Sequence, residues 1–243
     1  MYAGISRAVL GGAAALPPAP PSGNQELWFD GDFVTQSGGV ISAMQNQAPS
    51  GATRDASQAT VGNRPIVGTA LNGHGVVQHD GSNDYLSGVF GGAGYTYNDA
   101  TIVTLSKRPA TASDRALFDS APAALTNSGL MMHQESAQRQ LRIATPTNTT
   151  QYAFSSANWT VHFGIRRSSG TVMEIFEGTV LKHSATNSNP ATLNNFRLGA
   201  LFQDVRFWDG SWAQILLYSR ALSSQDRGDY VSYVNTRYGL SLT

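Results

Sequence analysis

The chain contains no cysteine. Disulfide frameworks, thiolate metal sites and thiol nucleophiles are therefore excluded. Charge of either sign is scarce: 16 Lys and Arg balance 16 Asp and Glu, for a formal net charge of +0. Phosphate binding draws on a basic excess, so nucleic acid is not an expected partner. The basic pairs Lys107-Arg108 and Arg166-Arg167 are isolated. No apolar run approaches the roughly 20 residues of a membrane-spanning helix, so no membrane partner is expected. Helical periodicity is missing except near the C-terminus. What the chain does have is glycine and proline, 25 and 10 of 243 residues, set among 41% hydrophobic residues. That mixture suits many short strands joined by turns around one large core.

The organising stretch is residues 76–86. Val77 and His79 alternate with Val76 and Gln78, as a strand with one buried face requires. Asp80-Gly81 and Ser82-Asn83-Asp84 then supply turn chemistry: Gly accepts a positive φ, and Asn and Asp bond back to their own backbone. Tyr85 and Leu86 resume the apolar pattern.

Other strands follow from the same period. Leu27-Trp28-Phe29 and Phe33-Val34 flank the Asp30-Gly31 turn. Val40, Ile41 and Met44 mark a short strand, and residues 45–63 read as a long polar surface connection. Residues 101–106 alternate, as do Leu141 and Ile143 about Arg142; Leu117-Phe118 and Leu130-Met131-Met132 mark two more strands. Trp159, Val161, Phe163 and Ile165 alternate with Thr160, His162, Gly164 and Arg166, which puts His162 on an outward register and His79 in a packed one. Residues 171–181 read as a hairpin turning at Glu177-Gly178. Residues 212–218 are nearly continuous in apolar character, as a central strand is. One helix is predicted at the end: Ser223 is placed as N-cap with Asp226 three residues on, Tyr230, Val231, Val234 and Tyr238 recur at helical spacing, and Gly239 suits the C-terminal cap. The fold class is all-β, a two-sheet antiparallel jelly-roll sandwich with one short C-terminal helix and an extended N-terminal arm.

That arm, residues 1–23, is rich in Pro, Ala and Gly and cannot build a core. Residues 8–16 follow a single basic residue, Arg7, and are mostly Ala and Gly, which does not make a secretory leader. Paired prolines favour an extended path. Its few larger apolar residues, Tyr2, Ile5, Leu10 and Leu16, are the expected contacts with another subunit, by strand addition or groove docking. The jelly-roll domain is expected over residues 24–243.

Several of these pieces together resemble the concanavalin A-like lectin/glucanase superfamily in its laminin-G-like form. The turn motif His79-Asp80-Gly81-Ser82-Asn83-Asp84-Tyr85-Leu86 is similar to that family's turn, which usually has an aromatic where His79 stands. The approach through Gln58, Arg64-Pro65, Leu71-Asn72-Gly73 and Val76-Val77 is similar too. So are residues 210–223 followed by the helix ending Tyr238-Gly239-Leu240, and the hairpin from Glu174 to Val180. The resemblance covers residues 26–243. It implies the fold, and it leaves function open, because the family hosts lectins, hydrolases, adhesion modules and virion proteins.

The glucanase branch of that family uses paired carboxylates, so Glu174 and Glu177 need weighing. A retaining glycosidase needs two carboxyl groups about 5 Å apart on one face. Residues three apart on a strand point to opposite faces, and the central Asp of the glucanase pattern is absent; no catalytic residue is assigned. Asp80, Asn83 and Asp84 are the calcium candidates, although Asx-turn bonding accounts for the same residues. The five histidines show no metal-binding spacing, and no cofactor is expected. Sugar binding asks for an aromatic platform flanked by polar groups. Trp208 with Asp209, and Tyr95 with Tyr97 and Asn98, are the candidates, while Trp28, Trp159 and Trp212 fall in strand patterns and are assigned to the core.

These observations lead to the expectation of a non-enzymatic phage virion protein: a head decoration, spike, fibre or tail component, homo-oligomeric, anchored by its arm to capsid or tail subunits and contacting host-surface glycan. The alternatives are a carbohydrate-binding module of a bacterial surface or secreted protein, and a glycoside hydrolase or lyase on the same fold.

Overall fold

The computed structural model describes residues 19–91, 95–108, 114–120, 129–135, 138–143, 149–154, 157–169, 171–187, 190–202 and 205–243. Tyr2, Ile5, Leu10 and Leu16 of the arm lie outside these residues.

The described strands are β1 (Gln25–Asp30), β2 (Val34–Ser37), β3 (Val40–Met44), β4 (Ala56–Ser57), β5 (Ile66–Val67), β6 (Val77–Asp80), β7 (Leu86–Val89), β8 (Tyr95–Tyr97), β9 (Ala100–Lys107), β10 (Arg115–Asp119), β11 (Leu130–Glu135), β12 (Gln138–Ile143), β13 (Thr149–Ala153), β14 (Thr160–Arg167), β15 (Val172–Glu177), β16 (Val180–Thr186), β17 (Ala191–Leu193), β18 (Asn195–Leu198) and β19 (Asp209–Tyr218). Among the described residues one α-helix, α1 (Ser224–Tyr238), follows. The protein is an all-β sandwich. One layer runs β16, β15, β14, β9, β19, with β1 and β6 sharing the far edge of β19. The facing layer runs β4, β7, β18, β10, β11, β12, β13. The stretch from 45 to 63 is not one loop: it holds β4 and two short 3-10 turns.

Alternation builds two cores from the first layer. Ile102, Ile175, Ile215 and Leu217 point inward to meet Leu86, Leu130, Met132, Leu141 and Phe196 of the facing layer. Val103, Leu105, Val161, Phe163 and Leu216 point outward and are covered by Tyr230, Val231, Val234 and Tyr238 of α1. Burial on both faces explains why residues 212–218 read as a continuous apolar run.

The helix begins as its sequence dictates. The Ser223 hydroxyl accepts from Asp226 N at 3.1 Å, and the Asp226 carboxylate accepts from Ser223 N at 2.8 Å. Arg220 and Ser223 hold the Asp226 carboxyl well below the usual range. Gly239 closes the helix in the left-handed conformation, φ 62. Ser223→Ala should cost about 0.5–2 kcal/mol, and Val234→Asp more, because Val234 is buried and an unpaired charge would replace it. Urea unfolding that finds both substitutions neutral would show that the helix does not dock.

Candidate functional site

The 79–86 turn fixes one end of the sandwich. Trp212 Nε1–H donates to His79 Nε2 at 3.0 Å, so His79 Nδ1 carries the proton and donates to the Asp84 carbonyl at 3.2 Å. Burial holds the His79 imidazole neutral, with its pKa pushed down to about 4. Gly81 takes φ 78, and a Cβ there would sit 2.8 Å from Asp209 Cβ. Glycine thus lets the turn close against the start of β19.

That closure builds a cleft of about 310 Å³ lined by Thr69, Ala70, Gln78, His79, Lys107, Trp159, Asp209, Gly210 and Ser211. Register explains the grouping. Ser211 pairs with Gln78 of β6 on one side and Lys107 of β9 on the other, which sets an amide, a hydroxyl and an ammonium in one cross-strand row. Asp209 opens β19 opposite Asp80. Trp159 stands just before Thr160, whose partner on β9 is Ser106, so its indole reaches the same end of the sheet. The lining thus combines one aromatic residue with several polar ones, the kind of composition that sugar binding asks for.

The predicted site residues divide. Asp209 lies in the cleft. Trp208, the sugar-binding candidate paired with Asp209, is instead 0% exposed, with the guanidinium carbons of Arg108 and Arg139 at 5.6 and 5.2 Å from its ring. It belongs to the inter-layer core. Tyr95 and Tyr97 share one face of β8, their rings parallel within 3° at 6.1 Å, with Arg54 at 4.8 Å from the Tyr95 ring; Asn98 follows, exposed. This pair is not part of the cleft lining. Tyr95, at 40% exposure, remains an accessible aromatic in its own right.

Trp159, expected in the core, is half-buried, packed on the outer cluster and part of the cleft lining. Its position one residue before β14 was the signal, because strand-end residues reach the rim. His162, expected to face outward, is 0% exposed and turned inward. Its Nε2–H donates to Tyr152 Oη at 2.7 Å, and Tyr152 in turn donates to Glu177 Oε2 at 2.9 Å.

The two glutamates point apart, as strand geometry requires. Glu174 pairs with Arg167 at 2.6 Å on the outer face, whereas Glu177 meets Tyr152 on the inner side. The oxygens of the calcium candidates serve the turn: Asp80 Oδ1 accepts from Ser82 N at 2.8 Å and Asp84 Oδ2 from Asp80 N at 3.1 Å. Asn83 directs its amide N–H to the Gly62 carbonyl at 2.7 Å. Among the described residues no three His, Asp or Glu side chains converge as a metal site.

No family model and no curated protein matches the chain. Solved structures do. The ligand-binding domain of botulinum neurotoxin serotype D, in complex with N-acetylneuraminic acid, superposes with a TM-score of 0.63 at 11% identity, over 86% of this chain and 50% of that one. The binding domain of botulinum neurotoxin DC, in complex with "SialylT", gives 0.62 at 9% identity, over 87% and 51%. The serotype G binding domain gives 0.59 at 12%, over 86% and 50%. The chain spans about half the length of these structures. At such identities the likeness establishes a shared β-sandwich fold and no more.

Proposed function

We propose that this chain is a non-catalytic, lectin-like module that binds glycan in the Trp159 cleft, and that its N-terminal arm attaches it to other subunits of a phage virion as a head decoration, spike, fibre or tail component. One observation carries the glycan reading: Trp159 lines the same cleft as the cross-strand row of Gln78, Ser211 and Lys107, together with Asp209. A sugar presents an apolar ring face and a rim of hydroxyls, and the cleft offers a partner for each. Lys107 suits an acidic sugar, and one domain of similar fold, that of botulinum neurotoxin serotype D, has been solved in complex with N-acetylneuraminic acid. The virion reading draws support from the resemblance in residues 26–243 and from the composition of residues 1–23.

A glycan array comparing the wild-type chain with Trp159→Ala tests the first part. Acidic glycans should be retained by the wild type, with affinity falling about tenfold or more in the variant, as for truncation of a central aromatic anchor. Equal binding by both proteins, or binding by neither, would sink the assignment of this cleft. The arm is tested separately. Deleting residues 1–23 should leave the melting temperature nearly unchanged while abolishing incorporation into the particle. Wild-type occupancy by the truncated chain would remove the arm's anchoring role.

A further inference from the structure

Inside the sandwich, one end of the inter-layer space is polar where the rest is apolar. On the first layer Thr104 and His162 face each other across the β9–β14 ladder. On the facing layer Arg139 pairs with Gln134 of β11 and Tyr152 of β13. Arg139 is 0% exposed. Its guanidinium lies against two aromatic rings, Phe154 at 5.0 Å and Trp208 at 5.2 Å. Its Nε, Nη1 and Nη2 have no hydrogen-bond acceptor among the described residues. The buried hydroxyl of Thr104 has no hydrogen-bond partner there either, and the unprotonated Nδ1 of His162 has no donor.

A buried ion without a counter-ion or acceptors is among the most expensive groups a fold can hold. Aromatic faces attract the cation but accept none of its N–H groups in the ring plane. The neighbouring carboxylate, Glu177, is already engaged by Tyr152 and by Lys182 at 3.7 Å. Arg108, which also lies against Trp208, has Asp209 and Asp114 as its own opposite charges. Burial and Arg108 depress the Arg139 guanidinium only to about 10, so it stays charged at neutral pH. Water would satisfy the N–H groups and leave the charge unbalanced. Full burial restricts any ligand there to a small one.

We propose that Arg139 holds a monovalent inorganic anion of the halide class inside the sandwich, with its in-plane N–H groups as the donors. The ion is part of the folded structure and is independent of the glycan cleft.

Bromide is the probe. Crystals of the full chain grown in sodium bromide should give an anomalous peak within hydrogen-bonding distance of the Arg139 nitrogens. In solution, sodium chloride or bromide should raise the melting temperature over sodium gluconate at equal ionic strength, by about 5 °C at a halide concentration near 100 times its dissociation constant. Arg139→Met should abolish that halide-specific rise, and in gluconate it should melt no lower than wild type, because it removes an uncompensated charge. Should the Met variant fail to fold, Arg139→Lys supplies the comparison, with a reduced rise. Absence of a bromide peak at Arg139 would overturn the proposal. So would equal melting temperatures in halide and gluconate, or an undiminished halide rise in the Met variant.

Discussion

Arg237→Met is expected to lower stability by about 3 kcal/mol, the lower end of the range for breaking a buried ion pair. Asp30 is 0% exposed, and Arg237 Nη2 reaches its Oδ2 at 3.0 Å and Asp32 Oδ2 at 2.6 Å. Gln214 Nε2 donates to Asp30 Oδ2 at 2.6 Å and to Tyr233 Oη at 2.9 Å, and Tyr230 Oη donates to Gln214 Oε1 at 2.9 Å. The network therefore joins β1, β19 and α1 across the outer core. Methionine keeps most of the aliphatic stem and removes the charge, so Asp30 is left buried without its counter-ion. Arg237 is one-fifth exposed, which places the loss at the low end of the range. The measurement is urea unfolding at pH 7, with Arg237→Lys as the variant that keeps the charge and loses less. Burial already raises the Asp30 carboxyl, and removing Arg237 raises it further. A carboxyl raised in the folded state contributes stability that is lost as pH rises through that value. The deficit of Arg237→Met should therefore shrink on acidification. A loss within about 0.5 kcal/mol at pH 7, the scale of an ordinary surface change, would mean that Asp30 does not depend on Arg237.

Much of the sandwich was legible in the sequence because its determinants are local. The turn at residues 80–84, the alternation of β9 and β14, the hairpin at Glu177-Gly178 and the Ser223 capping box each depend on residues a few positions apart. The candidate site was legible only in part, because register decides it. Gln78, Lys107 and Ser211 become neighbours through pairing between strands distant in sequence, and no local pattern announces that. Burial misled at Trp208 and His162 for a related reason. Period 2 names the two faces of a strand, but it does not say that both faces of the first layer are covered, one by the facing layer and the other by α1. In such a layer an alternating polar residue points into a core. His162 is the result.

The second large effect concerns acid, and it becomes visible only when one member of a pair is removed. His79 is neutral in the fold with its pKa near 4, against an ordinary value of 6.5. Below pH 6.5 the unfolded chain takes up this proton first, so His79 destabilises the fold as pH falls from 6.5 toward 4. A shift of that size corresponds to about 3 kcal/mol across the interval. Asp84 acts oppositely. Burial, and then the charge of Asp80, raise its carboxyl to about 6 from 3.8, against the bond from Asp80 N. The folded chain therefore binds that proton first, and Asp84 stabilises the fold as pH falls through the same window. The two groups are joined, since His79 Nδ1–H donates to the Asp84 carbonyl, and their contributions largely cancel between pH 6 and 4. Asp84→Asn should remove the compensating limb. Relative to wild type, its stability should fall by up to about 3 kcal/mol on going from pH 6.5 to pH 4. His79→Gln can still accept from Trp212 Nε1 and should show the reverse, gaining on wild type as pH falls. Urea melts of the three proteins at half-unit pH steps, read as differences from wild type, cancel the titration of carboxylates such as Asp226. Parallel pH profiles for wild type and Asp84→Asn would show that Asp84 does not offset His79.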